Sequence, residues 1–391
     1  MAKQFDVVIV GAGMVGASLA LLLRQCMQQG LSVALLDEHP ISINHAQQPS
    51  FDDRTTALSL GTQRIMDELG IWRTMGSHGC AIEHIQVSQQ QQFGRVRLHA
   101  QEEHVEALGY VLPNRAIGQV LSQALLASEQ LSILAPAAVT RYAVNADGAQ
   151  LDVQSESGLE TIQARLLVLA DGAQSEGCRQ LGIAQSRHSY EQSAVICNVS
   201  FDRPHQQWAY ERFTLGGPLA LLPMQGNRYG LVWCMDSAQA QEYLDLDDAA
   251  FTQQLQKAVG FDKGRLVKIG ARASYPLALT KACEQVRQNV VVLGNAAHGL
   301  HPVAGQGFNL ALRDAYVLAK NIQQTFAEFG RDQVGQLSHL LAYEQAQKND
   351  QLLTIGMSHY LPTSFSQSGG AWSLLRGLGL TLMDQMPVAK T

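Results

Sequence analysis

Residues 5–37 constrain this chain more than any other stretch. Residues 5–10 read FDVVIV, an apolar run of strand length. Gly11, Gly13 and Gly16 follow at GxGxxG spacing, then a helix-patterned segment over 17–29, a second apolar run over 32–36, and Asp37. Strand, glycine turn, helix, strand and acid in that order make a dinucleotide-binding βαβ unit. Gly11 makes the tight turn, Gly13 lets a pyrophosphate approach, Gly16 lets the helix pack on the strand, and Asp37 can accept from ribose hydroxyls. Glu38 competes for the ribose role but reads as a solvated strand end. Ser18 falls in a GxSxA string that hints at a hydrolase elbow; it lies inside the helix rather than at the turn, so it is set aside. Residues 7–23 also resemble a signal peptide or membrane span behind Lys3, but Asp6 and the three glycines favour a buried strand and helix.

With 391 residues, the chain is too long for one core, and two domains are expected. Its net charge of -6, with no lysine- and arginine-rich run, gives no support to nucleic-acid binding. Cys26, Cys80, Cys178, Cys197, Cys234 and Cys283 are scattered singly, without a CxxC pair. A chain of this length needs no disulfides, so a reducing cytoplasm is expected.

Arg54 precedes a helix expected over 59–69, and residues 89–92 form a polar hairpin tip. Asn114 and Arg115 open another helix, over 116–127, where Arg115 is within reach of a phosphate. Segments 139–144, 149–154 and 161–164 suggest a three-stranded meander. A separate buried run, 166–170, ends in Asp171-Gly172-Ala173-Gln174-Ser175, with Arg179 beyond. An aspartate there can hold sugar or ribityl hydroxyls, or cap a helix. From 189 to 274 the texture changes to alternating segments at 193–201, 208–213, 219–223, 229–235 and 266–274, with one helix at 249–258. These suit an antiparallel sheet with one covered face. Trp208, Tyr210, Phe213, Met224, Trp233 and Met235 line this part and read as core before pocket.

Residues 289–293 form another apolar run, leading into Gly294-Asn295-Ala296-Ala297-His298, then Pro302, Gly305, Gln306 and Gly307, with a helix beginning near Phe308. Small residues let backbone approach a flat ligand, and a helix start leaves amide groups free to meet negative charge. His298 and His301 have no carboxylate or cysteine set beside them in sequence, so no metal is expected. Helical segments continue to about residue 350. The tail, 351–391, is apolar and helical, with Trp372, Leu375, Leu378 and Met383 around Gly369 and Gly370. It is too broken to span a membrane and suits either an oligomer contact or a membrane-surface contact.

GxGxxG, DGAxSxxxR and GNAAHxxxPxxGQGxN, in that order, resemble the class A flavin monooxygenases of the para-hydroxybenzoate hydroxylase fold, over essentially the whole chain. The resemblance implies an α/β architecture: a Rossmann-like FAD-binding domain, an inserted antiparallel-sheet substrate domain and a helical C-terminal tail. The expected division is 1–77, 103–182 and 278–350 for FAD, 78–102 and 183–277 for the substrate-binding β domain, and 351–391 for the tail. It implies FAD as cofactor and NAD(P)H and dioxygen as co-substrates, without a metal.

A narrower likeness lies in FDDRTTALS, ERFTLGGPLALLPM, the GLVWC run from Gly230 to Cys234, SYPLALT and LHPVAGQGFNLALRDA. These are similar to the ubiquinone-pathway hydroxylases, nearest to those acting on 2-polyprenyl-6-methoxyphenol. Most of the wider family has aspartate where this chain has Asn295; the ubiquinone branch commonly shows the asparagine, which still accepts from a ribityl hydroxyl but carries no charge.

Carried over by residue, Gly11, Gly13, Gly16 and Asp37 would hold the ADP half, and Arg54 and Arg115 would contact the nucleotide. Asp171 would serve FAD and the transient NAD(P)H site, and Asn295 the ribityl chain. Pro302 would face the flavin ring, and His301 is a candidate for proton transfer. Gly305, Gln306, Gly307, Phe308 and Asn309 would bring backbone to the ring's pyrimidine edge.

The implied reaction converts a polyprenylated phenol to its 1,4-benzoquinol. Such a substrate is insoluble, so the enzyme would meet it at a membrane surface or through a lipid-carrier protein, as a member of a ubiquinone-biosynthesis assembly and as a monomer or homo-oligomer. Its place would be cytoplasmic, peripheral on the inner membrane. The competing readings are a sister hydroxylase acting at another ring position, a flavin reductase, a nicotinamide dehydrogenase and a non-catalytic flavin-binding subunit. The GWxWxIP string of flavin halogenases is absent.

Overall fold

Strand alternation sets the first two cores. The computed structural model describes residues 3–43, 54–90, 94–300 and 305–366. Val7 and Ile9 of the Lys3–Val10 strand enter one hydrophobic cluster, and Val8 and Val10 enter another. Leu166 and Val168 against Leu167 and Leu169 repeat the division, as do Val291 and Leu293 against Val290 and Val292. A strand apolar on both sides belongs in the middle of a covered parallel sheet. Here the strands Val290–Val292, Gly158–Leu169, Lys3–Val10, Val33–Leu36 and Leu131–Leu134 lie side by side and parallel. The helices Met14–Leu22, Asn114–Leu126 and Gln306–Phe329 cover one face. The hairpin of Ala137–Asn145 and Gly148–Ser155 covers the other.

The α/β expectation is borne out, and the second sheet is antiparallel as expected except where Trp208–Phe213 pairs parallel with His84–Gln89. One difference concerns residues 161–170, read from sequence as two runs separated at Arg165. They are one strand, Gly158–Leu169. Its first half pairs antiparallel with Gly148–Ser155, and its second half runs parallel between Lys3–Val10 and Val290–Val292. Arg165 does not interrupt it, because its guanidinium meets Asp332 at 2.6 Å and Asp6 at 3.6 Å. The apolar N-terminal stretch is the expected strand and helix, and among the described residues no helix is long and apolar enough to cross a membrane.

The second sheet runs Ala273–Ala282, Gln185–Phe201, Arg228–Asp236, Pro218–Met224, Trp208–Phe213, His84–Gln89 and Arg95–His99, with His298–Gly299 at one edge and Leu266–Ile269 beside Gln185–Phe201. The single strand expected over 266–274 is two, parted at Gly270, whose amide donates to the Asn198 carbonyl at 2.7 Å. A second helix, Ser237–Asp245, precedes Asp248–Val259; Asp236 caps it by accepting from the Ala238 amide. Val195, Leu219, Leu221, Leu231 and Trp233 face these helices and close over a fully buried Phe251. Trp233, Phe213, Met224 and Met235 are buried, as the core reading required. The opposite face of this sheet is turned toward the parallel sheet's glycine loop, and a cleft lies between them.

A three-stranded sheet of Thr55–Ser59, Gly109–Pro113 and Cys80–Ile82 bridges the two larger ones. Contact is close at Gly230, where a Cβ would stand 2.7 Å from the Thr55 hydroxyl oxygen. The Leu337–Ser366 helix runs unbroken along the outside, packed on Gln306–Phe329.

Candidate active site

Three strand ends converge on the cleft. After Lys3–Val10 the chain turns at Gly11, whose φ is 103° and where a Cβ would overlap the Ala170 carbonyl oxygen. A Cβ on Gly16 would overlap the Gly11 carbonyl oxygen, so the helix sits against the loop only because both residues are glycine. Asp37, at the end of the neighbouring strand, accepts from the Ala12 amide at 2.6 Å and from the His39 amide at 2.8 Å. It braces the glycine loop as well as lining the cleft. Glu38, read from sequence as a solvated strand end, lines the cleft beside it.

Asp171 follows the Gly158–Leu169 strand. Its Oδ2 accepts from the Gly177 amide at 3.2 Å, while Oδ1 is buried without a partner. Burial pushes its carboxyl above the usual carboxylate range, against the opposing pull of hydrogen bonds from Ser175 and Gly177. A buried acceptor with nothing to accept from, on the wall of a cleft, suits a ligand hydroxyl.

Asn295 lies in the Gly294–Ala296 turn after the Val290–Val292 strand and is exposed to the cleft. His298 holds this turn. Its Nε2 lies 2.5 Å from Asp314 of the Gln306–Phe329 helix, and Asp314 also accepts from Gln347 at 2.7 Å and Gln351 at 3.0 Å. The sequence had placed no carboxylate at His298; the helix supplies one. Among the described residues no group of three or more metal-ligating side chains is present.

Two helices start at the cleft without side-chain caps, Met14–Leu22 after Gly13 and Gln306–Phe329 after Gly305. Their first amides are available to negative charge. Gly305, Gly307 and Phe308 line the cleft. Gln306 and Asn309 do not. Asn309 is 1% exposed, donates to the Ala57 and Gly305 carbonyls and accepts from the Ser59 amide and the Thr62 hydroxyl. Its side chain fastens the helix start to the Thr55–Ser59 strand. Arg54 lines the cleft with its guanidinium over the Tyr275 ring, 4.9 Å from the centroid. Arg115 is exposed on its helix and outside the cleft lining. His301 and Pro302, the two candidates for catalysis, lie outside the described residues.

The cleft holds about 1440 Å³, room for a dinucleotide and a second molecule together. The residues present fit FAD: uncapped helix starts for charge, an orphaned carboxylate oxygen for a hydroxyl, and glycines where a flat group must come close. Gly307 is informative, because among the described residues the nearest atom outside its own helix to a Cβ there is Leu300 Cβ at 4.0 Å. The described residues leave space there for a side chain that the sequence withholds. Gly307→Val is therefore expected to fold normally yet lose bound flavin, read as a colourless protein with an unchanged circular dichroism spectrum.

The FAD binding domain family model matches residues 4–346. Ubiquinone hydroxylase UbiL of Rhodospirillum rubrum is 35% identical over 98% of this chain and 87% of its own length. The 3-demethoxyubiquinol 3-hydroxylase of Escherichia coli is 28% identical over 98% of this chain and 96% of its own. In fold, the chain is similar to p-nitrophenol 4-monooxygenase PnpA of Pseudomonas putida, with a TM-score of 0.79 at 16% identity, covering 100% of this chain and 96% of that one. With these matches spanning the whole described molecule, the chain belongs to the FAD binding domain family, among the flavin-dependent monooxygenases that the ordered motifs resemble.

Proposed function

We propose that this protein hydroxylates the ring of a polyprenylated phenol in ubiquinone biosynthesis, converting a 2-polyprenyl-6-methoxyphenol to the 1,4-benzoquinol with NAD(P)H and dioxygen. The observation that carries this reading is the cleft's two unlike walls. One presents Gly11, Asp171, Asn295 and Gly307; the other presents Ala194, Ile196, Leu222 and Val232 from the antiparallel sheet. Bound FAD would supply the redox chemistry, accepting hydride and activating dioxygen. Gly11, Gly13 and Asp37 would hold its ADP half, Asp171 and Asn295 the sugar and ribityl hydroxyls. The amides at Gly307 and Phe308 would stabilise negative charge on the reduced ring's pyrimidine edge. The apolar wall would seat the aromatic ring and exclude water from the oxygen-transfer step.

A second reading, oxidation at another ring position, is favoured by the Escherichia coli relative, whose name gives a demethoxy quinol as what it hydroxylates. Quinone intermediates extracted from a strain lacking this protein separate the two. An accumulating prenylated methoxyphenol supports the first, and a later demethoxy or demethyl intermediate supports the second. The insoluble prenyl chain requires delivery at a membrane surface or by a lipid-carrying partner.

A further inference from the structure

The sheet's cleft lining is mixed: Gln185, Arg187 and Asn198 of Gln185–Phe201, Thr280 of Ala273–Ala282 and Arg272 just before it are polar, but the row through Glu211 is otherwise apolar. Following the hydrogen-bonded neighbours across the strands gives the row Val87, Glu211, Ala220, Val232, Ile196, Ala273. All but Val87 line the cleft, and only Glu211 carries a charge. Glu211 has no hydrogen-bond or ion-pair partner in the described protein, and the helices on the far side of the sheet take the alternate residues. Burial alone pushes its carboxyl up to about 7. The titratable group that it feels is Cys234, two strands away, whose thiol burial and Glu211 keep well above its usual range and neutral. The adjoining strands put Val87 and Ala220 opposite it. The Leu337–Ser366 helix also contacts this strand, and the last titratable side chain described on it, His359, lies 2.9 Å from the Tyr190 hydroxyl.

An unpartnered carboxyl in an otherwise apolar row of the cleft wall costs stability, and folding alone gives no reason to keep it. We propose that Glu211 is the base that takes the proton from the substrate's ring hydroxyl, an assignment that rests on the phenol-hydroxylase reading. The phenol O–H bond breaks, the proton passes to a Glu211 carboxylate oxygen, and the electron pair stays on the ring oxygen. The ring is then richer in electrons at the carbon that is to be hydroxylated. The carboxyl returns its proton to solvent as product leaves. No oxidant is consumed in this transfer, and a base whose pKa lies near the working pH suits it.

The test uses the FAD-loaded full chain with NAD(P)H, dioxygen and 2-methoxy-6-(3-methylbut-2-enyl)phenol. Wild-type hydroxylation should rise with pH through an inflection near the pH where Glu211 ionises. E211Q keeps size and shape, so it should bind FAD as before. Its kcat for hydroxylation should fall by ~100-fold, with hydrogen peroxide replacing product and the inflection gone. E211D should keep the inflection at a reduced rate. A stability readout runs alongside. Between the ordinary carboxyl value of 4.5 and about 7, the folded chain holds a proton that the unfolded chain has lost. The wild-type Tm should therefore fall as pH rises through that window, and that of E211Q should not. A wild type that hydroxylates the phenol while E211Q matches its rate and pH profile overturns the assignment alone. A wild type that hydroxylates no phenol overturns the functional reading, and the assignment with it.

Discussion

Gly16→Ala is expected to destabilise the protein by about 3 kcal/mol or more and to leave it unable to retain FAD. The reason is local and steric. The added Cβ would overlap the Gly11 carbonyl oxygen, a backbone atom that cannot rotate away. Gly11 cannot yield either, because it is wedged against Ala170 with φ at 103° and its amide donates to the Leu36 carbonyl at 2.8 Å. The helix Met14–Leu22 would have to lift from the sheet, with Leu19 and Leu21 leaving the core. Each buried leucine contributes about 2 kcal/mol, so partial lifting accounts for the estimate. Denaturant titration gives the loss directly. Gly307→Ala is the matched control, since among the described residues its Cβ meets no atom outside its own helix closer than 4.0 Å, and it should leave stability nearly unchanged.

Asp314→Ala should destabilise by about 3–5 kcal/mol. Asp314 is fully buried and serves three partners: His298, Gln347 and Gln351. Removing it leaves three polar groups from two segments without their acceptor, and a cavity forms where they met. The effect should extend to the cofactor, because His298 ends the turn that presents Asn295. Flavin titration should show weaker binding even at temperatures where the variant is folded. Asp314→Asn, which keeps the shape and one acceptor, should lose markedly less.

The elements that were legible in the sequence are those whose cause is local. GxGxxG, the strand-end acids and the glycine-rich turn each depend on a few adjacent residues, and the Trp208–Phe213 strand falls where alternation put it. What was not legible depends on residues brought together from afar. Asn309 sits within a motif that resembles a cofactor loop, yet its four hydrogen bonds go to protein groups, three of them some 250 positions away. Arg165 resembled a strand boundary because its partners, Asp6 and Asp332, lie on other segments. Glu38 is exposed just past the strand end, as the sequence suggested, but nothing nearby in sequence shows that a cleft opens beside it. Glu211 opens the ERFTLGGPLALLPM string, but its isolation becomes visible only when five neighbouring strands are laid beside it. The helix Ser237–Asp245 did leave a signal, the Asp236-Ser237 pair at its start, which the strand pattern before it obscured.

The chemistry proposed for this cleft is the placing of dioxygen-derived oxygen on an aromatic ring. The direct test supplies the purified yellow protein with NAD(P)H, isotopically labelled dioxygen and 2-methoxy-6-(3-methylbut-2-enyl)phenol, and follows the product by mass spectrometry. One labelled oxygen atom is expected in the product ring, with NAD(P)H oxidation stimulated by the phenol. NAD(P)H oxidation that yields only hydrogen peroxide or a reduced substrate, with no label in the ring, would contradict it.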